Sequence, residues 1–359
     1  MAHPYIDFDK LPIRIGLGSF MHPTPERLRF IRQLGVTDIL LNMYKIALID
    51  TDYDRLPLPG NEKWEFTDIL ALRNQVEDAG LRLNAIENLP RCFYDKILLG
   101  KPGRDRQIEC IQETIANLAR AGIPVLGYLW EAGDVLRSST TYPTRGGAKA
   151  LAIDLADFQN APLVADRVYS EEEMWDNYFY FLERVLPVAE SEGIKLAVHP
   201  NDPPVAQIGG MPRLMRSRET FDKAFNTVPS PNHGCEFCLG NWALMGEDIV
   251  DVIKHYSAMN KLFYVHFQTI SNCLPDPMHE VFVDEPGYYD TFTVLSTLRD
   301  VGFNGMIIPG HVPAIEGDGN WQERARAFTV GYLRGILHAI DRLDPESTHV
   351  GQAVAGVRQ

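Results

Sequence analysis

The strongest constraint on the fold is a repeated order of short apolar runs, each followed by a longer segment with helical periodicity. Eight such units follow one another along the 359 residues. Short apolar runs are typical of buried parallel strands, and the amphipathic segments after them are typical of crossover helices. The predicted strands are residues 13–18, 38–43, 81–87, 125–129, 195–199, 235–239, 262–268 and 305–309.

Each predicted strand leads into a predicted helix. The helices are residues 25–34, 65–79, 105–121, 171–192, 218–226, 248–259, 290–301 and 322–343. Eight strand-then-helix units in one chain predict a single-domain (β/α)8 TIM barrel over residues 1–343, although a doubly wound open sheet stays possible. Residues 344–359 are predicted to be a polar tail.

The lengths of the connections indicate which end of the barrel carries function. Helix-to-strand links are short and contain glycine, as at Gly35 and Gly122, whereas several strand-to-helix links are long. The elaborated face is therefore the carboxyl end of the strands, where barrel enzymes carry their chemistry. The longest link, residues 130–170, is a candidate lid, and other long loops are expected near 44–64, 200–217 and 269–289.

The charge of the chain excludes two classes of partner. Lys and Arg total 34 against 48 Asp and Glu, which gives a formal net charge of −14. Such a surface repels phosphate backbones and anionic lipids, so we expect neither nucleic acid nor a membrane as a partner. The first ten residues lack the pattern of a signal peptide, and the five cysteines do not suggest a disulfide framework. We therefore expect a cytoplasmic protein, which could form a homo-oligomer.

Three residues with strong metal-binding side chains fall at the ends of consecutive predicted strands: His199, Cys238 and His266. In a barrel these strand ends are neighbours, and alternation along each strand lets all three side chains point inward. One thiolate and two imidazoles suit a divalent transition metal such as Zn, Mn, Fe or Co. His311, at the end of strand eight, could join them. Each residue alone could instead be ordinary packing or a hydrogen-bonded histidine.

Cys235 and Cys238 form a C-x-x-C pair, but this pair does not predict a zinc ribbon or a redox motif. Residues three apart on a strand point to opposite faces, so the two thiols cannot bind one inward metal ion. Glu236 shares a face with Cys238 and is a further ligand candidate, although it could equally form an ion pair inside the barrel.

Other polar residues are placed for substrate binding or catalysis near the predicted barrel mouth. Arg213 could bind a carboxylate through two hydrogen bonds, or could simply form a surface ion pair. Glu87 could hold a hydroxyl or act as an acid or base, and it could also be only a hydrogen-bonding group. Further candidates from position are Asn201, Asp202, Asn88, His279 and Glu280.

The same segments resemble the D-mannonate dehydratases, metal-dependent barrels of the xylose-isomerase-like group. The similarity extends along almost the whole chain through GVTDILLNMY, AIENLP, LAVHPNDPP, GMPRLM, FCLG and FYVHF. HPNDPP followed by GMPRL is a fairly specific pair, since the family reads HPDDPP and then GLPRI. The resemblance implies one divalent metal ion, typically manganese, bound by His199, Cys238 and His266. It also implies that a sugar acid is dehydrated to a 2-keto-3-deoxy product.

The eighth strand departs from the family pattern. Where the family reads R-P-D-H-G, this chain has Ile308, Pro309, Gly310, His311 and Val312, so the family arginine and aspartate are missing. The family tyrosine before the last helix has no clear counterpart, and Gln268 stands where the family has a basic residue.

These observations predict a hydro-lyase that acts on a sugar acid. A metal ion holding the carboxylate and the 2-hydroxyl would acidify the C2 proton, and His311 is the base that we expect to remove it. An acid would protonate the departing 3-hydroxyl. A sugar or sugar-acid isomerase or epimerase is the alternative, which the missing aspartate and tyrosine favour. A non-catalytic barrel is the third hypothesis.

Overall fold

The described part of the chain, residues 12–43 and 57–343 of a computed structural model, contains a closed barrel of eight parallel strands. Each strand pairs with its neighbours in the sequence, and the first pairs with the last. The barrel strands are β1 (Arg14–Phe20), β2 (Asp38–Asn42), β3 (Arg82–Glu87), β4 (Val125–Leu129), β5 (Lys195–His199), β6 (His233–Cys238), β7 (Leu262–Phe267) and β8 (Met306–Pro309). The predicted TIM barrel is confirmed.

The crossover helices form an outer layer around the barrel. They are Pro25–Gln33, Phe66–Asp78, Arg104–Arg120, Glu171–Glu192, Arg218–Thr227, Ile249–Ala258, Thr291–Asp300 and Glu323–Leu343, with two short helices at Asp95–Leu98 and Leu239–Leu244. Side chains of Thr24, Ser170, Ser217, Asp248 and Asp290 accept hydrogen bonds from backbone N–H groups in the first turns. These caps explain why the helices begin where the sequence predicts.

Two layers of residues fill the barrel and cover it. An inner cluster occupies the barrel interior and consists of Leu40, Ala85, Val125, Ala197, Phe263, Tyr264, Met306 and Ile308. The outward faces of the strands pack against the helices in a much larger apolar cluster. The inner cluster closes the interior, so polar side chains beyond it, towards the carboxyl ends of the strands, line a cavity rather than a channel.

The long loops after β4 and β7 join over the barrel mouth. Two strands from the first loop, Ser139–Pro143 and Lys149–Ile153, and two from the second, Thr269–Ile270 and Met278–Val281, form one antiparallel sheet. The loop after β5 carries a small hairpin of Gln207–Ile208 and Met211–Pro212. The candidate lid 130–170 is therefore tied to the loop after β7, and its movement stays a prediction.

Two of the sequence predictions fall outside the described residues 12–43 and 57–343. They are the tail 344–359 and most of the loop 44–64. None of the helices in the described ranges combines the length and the apolar character that crossing a bilayer requires.

Candidate metal centre and active site

Three adjacent strands bring the predicted metal ligands together. His199 ends β5, Cys238 ends β6, and His266 lies next to Cys238 in the register of β6 with β7. A ligand atom of each residue lies within 4.8 Å of the others. The parallel pairing creates this cluster, because the ends of parallel strands meet at one edge of the sheet.

The protein environment shifts the pKa values of His199 and Cys238 in opposite directions. His199 Nδ1 lies 2.6 Å from the carbonyl oxygen of Pro200, which leaves Nε2 to face the cluster. Burial, together with the neighbouring His266, lowers the pKa of His199 to about 4, so the imidazole is neutral at pH 7 and its nitrogen can bind a cation. Burial raises the pKa of the Cys238 thiol, which therefore keeps its proton until a cation displaces it.

Two carboxylates complete the cluster. Glu87 Oε2 lies 3.1 Å from His266 Nε2, and Glu236 Oε1 lies 3.2 Å from the same nitrogen. Burial alone would raise the pKa of Glu87, but the His266 imidazole beside it brings that pKa below its usual value. Burial and the neighbouring Glu87 raise the pKa of Glu236 well above its usual value. The two carboxylates are therefore in different electrostatic states.

Buried polar atoms in this cluster lack the partners that a cation would supply. His266 Nε2 and both carboxylate oxygens of Glu236 are buried, and despite these short separations none of them makes a hydrogen bond of acceptable geometry. Leaving such groups unpaired is costly in a protein interior, and a bound ion would satisfy all three. Two imidazoles, a thiolate and a carboxylate are together a donor set for a transition metal.

Cys235, the first cysteine of the C-x-x-C pair, faces away from this cluster. Cys235 belongs to the apolar cluster between strands and helices, whereas Cys238 lines the cavity. Strand alternation produces this separation, as the sequence predicted.

A cavity of about 600 Å³ lies above the metal-ligand cluster. Glu87, Glu236, His199, Cys238 and His266 line its floor, and the loops after β4, β7 and β8 form its walls. This volume accommodates a six-carbon sugar acid, because small-molecule sites span roughly 300–1,000 Å³.

His311 and Glu280 form a pair in the cavity wall. His311 Nδ1 lies 3.0 Å from Glu280 Oε1, and the Glu280 side chain is 1% exposed. The carboxylate orients the ring and leaves Nε2 as the nitrogen that a substrate can reach. Glu280 lies on the strand Met278–Val281, so the sheet over the barrel mouth brings it to a histidine 31 residues away.

The predicted substrate-binding residues have different positions. Asp202 lines the cavity but is bound by both terminal nitrogens of Arg137, at 2.6 and 2.7 Å. Asn88 also lines the cavity and donates a hydrogen bond to Asn42. His279 stacks against Tyr142 in the sheet over the mouth.

Arg213 and Asn201 lie beneath the surface around a buried carboxylate. Arg213 Nη1 lies 2.6 Å from Glu131 Oε1, and Asn201 donates a hydrogen bond to Glu131 at 3.1 Å. Burial raises the pKa of Glu131 to about 7 despite the nearby guanidinium. The structure thus gives Arg213 and Asn201 a place in loop packing, outside the residues that line the cavity.

The positive charges in the cavity come from residues that the sequence did not single out. Arg137, Lys149 and Arg326 line it. Arg326 is 1% exposed and donates hydrogen bonds to the carbonyl oxygens of Trp321 and Pro309, at 2.7 and 2.5 Å. Within the described ranges no carboxylate forms an ion pair with it, so its charge is available to an anionic ligand. In the sequence, the periodicity of the last helix is the one signal that could have indicated that Arg326 points inward.

Comparisons with known proteins identify the family. The family model described as D-mannonate dehydratase (UxuA) matches residues 20–165 and 155–347. Mannonate dehydratase 2 of Halalkalibacterium halodurans is 29% identical over 91% of this chain and 99% of its own length. The crystal structure of mannonate dehydratase from Streptococcus suis serotype 2 superposes with a TM-score of 0.85 and 26% identity, covering 97% of this chain and 98% of that one.

A more distant structure shows the fold alone. A xylose isomerase domain protein from Planctomyces limnophilus has a TM-score of 0.58 and 13% identity, over 93% of this chain and 99% of that one. The barrel is thus of the xylose-isomerase-like type. Because the family model covers nearly all of the described barrel, the chain belongs to the D-mannonate dehydratase family.

Proposed function

We propose that this protein is a metal-dependent hydro-lyase that removes water from D-mannonate and yields a 2-keto-3-deoxy acid. One observation carries this proposal: a cluster of metal-binding side chains lies on the floor of a cavity whose wall holds an oriented histidine. The dehydratase names of the relatives support the substrate and the reaction class.

We propose His199, Cys238 and His266 as ligands of one divalent ion. Manganese is our first choice from the family resemblance, and zinc, iron and cobalt suit the same donors. When bound, such an ion would polarise the carboxylate and the 2-hydroxyl of an aldonic acid, which makes the C2 proton more acidic.

His311 is the proposed catalytic base. Its Nε2 accepts the C2 proton, the electron pair of that C–H bond forms the C2–C3 double bond, and the C3–O bond breaks. Glu280 stabilises the imidazolium through Nδ1. The departing hydroxyl takes the same proton from His311 and leaves as water, and the remaining enol converts to the keto acid. This route requires the proton and the hydroxyl to leave from one face of the sugar acid.

Glu87 has a different role in this scheme. It accepts hydrogen bonds from Asn42 at 2.7 Å and from Tyr264 at 3.2 Å, and its lowered pKa keeps it ionised. An ionised carboxylate is a poor proton donor, so we assign Glu87 to accepting a substrate hydroxyl. Asn88 and Asp202 line the same cavity and stay candidates for hydroxyl binding.

Arg326 is the proposed partner of the substrate carboxylate. Burial lowers the pKa of its guanidinium to about 10, which still leaves it charged at neutral pH. Its hydrogen bonds to two carbonyl oxygens fix its position without neutralising it. A fixed, buried guanidinium is well suited to binding a carboxylate.

The direct test is a product assay. Purified protein would be freed of metal, reloaded with Mn²⁺ and incubated with D-mannonate, and 2-keto-3-deoxy acid would be measured. We expect product with Mn²⁺ and a loss of at least about a hundredfold in His311→Gln, the range typical of a general base. Absence of keto-deoxy product from any aldonate would refute the proposal.

Isomerisation or epimerisation is the second candidate. Gly310 offers no side chain where the family has an aspartate, and the removed proton could return to carbon instead of leaving with the hydroxyl. The two reactions are separated by their products, since an epimer keeps all its oxygen atoms. A non-catalytic barrel would show no stoichiometric transition metal.

We also propose a cytoplasmic location. All five cysteines are free, which suits a reducing compartment. A homo-oligomeric state stays a prediction, as does the absence of nucleic-acid and membrane partners.

A further inference from the structure

Glu236 is a buried acidic side chain beside the proposed metal ligands, and the proposed reaction leaves it without a role. Its side chain is 1% exposed, and neither carboxylate oxygen makes a hydrogen bond of acceptable geometry. Glu87, beside it, accepts hydrogen bonds from Asn42 and Tyr264. Of these two neighbouring carboxyl groups, Glu236 is the one whose oxygens make no well-formed hydrogen bond, so its burial is the less compensated.

The carboxylate points at the proposed metal ligands. Oε1 of Glu236 lies 3.2 Å from His266 Nε2 and 3.9 Å from His199 Nε2. Glu236 and Cys238 are two residues apart on β6 and so share its inward face. Atoms that bind one ion at about 2.0–2.3 Å are separated from each other by roughly 3–4 Å. Both distances fall in that range.

We propose that Glu236 is the fourth ligand of the ion held by His199, Cys238 and His266, and that it binds from inside the barrel. This inference rests on the metal site of the proposed function. The carboxylate ligand would thus come from the inward face of β6.

The structure of β8 supports this assignment. Gly310 has no side chain, and the space where its Cβ would lie is limited by Gln268 Oε1 at 2.9 Å and His266 Cβ at 3.3 Å. Gln268 thus fills the gap beside Gly310. His311, the other candidate on this side, is engaged by Glu280 through Nδ1. Glu236 clusters with Glu87 and His266, and it adjoins the cluster of His199, Cys238 and His266 through the shared His266.

The charge of the completed site supports it as well. A Cys238 thiolate and a Glu236 carboxylate together carry two negative charges, which neutralise a divalent ion in a buried place. The thiolate alone would compensate only one of the ion's two positive charges, and an uncompensated buried charge is costly. A carboxylate oxygen also favours Mn²⁺ more than a site of sulfur and nitrogen alone would.

Metal titration of the whole chain tests the proposal. Wild type, Glu236→Gln and His311→Gln would be freed of metal and titrated with Mn²⁺ and with Zn²⁺ in a calorimeter. The Gln side chain keeps the size of Glu236 and removes its charge. We expect one site in the wild type, an Mn²⁺ affinity lowered at least about tenfold in Glu236→Gln, and a smaller loss for Zn²⁺. His311→Gln should bind both ions like the wild type.

The outcomes separate this inference from the proposed function. An Mn²⁺ affinity of Glu236→Gln within twofold of wild type, or a larger loss in His311→Gln, would overturn the inference and leave the three-residue site intact. A wild type that binds no divalent ion would instead refute the metal site itself.

Diffraction from wild-type crystals soaked with Mn²⁺ gives a test that does not depend on the variant folding. An anomalous peak within about 2.3 Å of a Glu236 oxygen supports the inference. A peak near His199, Cys238 and His266 but more than about 3 Å from both Glu236 oxygens overturns it.

Discussion

The His311–Glu280 pair makes a quantitative prediction for the variant Glu280→Gln. The amide can still accept a hydrogen bond from Nδ1, but it removes the negative charge that would stabilise a protonated ring. Because Glu280 is 1% exposed, solvent screens this interaction little. A hydrogen bond to a charged group contributes about 1.5–3 kcal/mol, and 1.36 kcal/mol is tenfold in rate. We therefore expect kcat to fall roughly 10- to 150-fold.

Steady-state kinetics with D-mannonate and Mn²⁺ measures this effect. The KM should stay within about twofold, because the stabilised charge develops only as the proton is transferred. Glu285→Gln is the matched control, since Glu285 accepts a hydrogen bond from the Phe282 backbone N–H and does not line the cavity. It should leave kcat unchanged.

A double variant decides whether Glu280 acts through His311. If it does, Glu280→Gln combined with His311→Gln should be no slower than His311→Gln alone, because the carboxylate has no ring left to stabilise. Losses that multiply, or a Glu280→Gln kcat within twofold of wild type, would refute the pairing of these residues in catalysis.

Three further predictions follow from single groups. Arg326→Gln should raise the KM for D-mannonate roughly 10- to 150-fold through loss of a charged hydrogen bond, measured by initial rates after circular dichroism shows intact folding. Mn²⁺ binding should release one proton more from the wild type than from Cys238→Ala, because burial raises the pKa of the Cys238 thiol; calorimetry in buffers of different ionisation enthalpy measures this, and equal proton release from the two proteins would contradict it. Burial lowers the pKa of His233 to about 3. As the pH falls, His233 is protonated in the unfolded chain before it is protonated in the folded protein. The free energy of unfolding is therefore greatest above pH 6.5 and decreases as the pH falls towards 3. At pH 5 the loss is about 2 kcal/mol by urea unfolding, and His233→Gln should lack it.

Much of the barrel was predictable because strands and helices leave local patterns. The bounds of β4, β5 and the helix Glu171–Glu192 agree with prediction to the residue. The sixth strand was placed two residues late: it begins at His233, and Leu239 belongs to a short helix instead. A polar His233 does not resemble a buried strand residue, yet it is held there by the hydroxyl of Tyr128 at 2.9 Å.

The clustering of His199, Cys238 and His266 was also predictable, because parallel pairing aligns the ends of neighbouring strands. The partners of these and other site residues were not. Arg213 reads in sequence as a substrate-binding cation, but it pairs with Glu131 from a different loop. Glu280 reaches His311 only because two loops pair in one sheet. Such contacts depend on loop geometry, which no short-range pattern encodes.

The positive charges in the cavity lie outside the barrel strands because the residues at the end of β8 carry no charge. Ile308 belongs to the apolar cluster inside the barrel, and Gly310 has no side chain, so β8 places no charge there before His311. The cations therefore come from outside the barrel strands: Arg137 and Lys149 from the connection after β4, and Arg326 from the last helix. Arg137 is already paired with Asp202, so substitutions of Lys149 and Arg326 are the ones that should alter which acid binds. They should not move the metal ligands, because those lie on the barrel strands themselves.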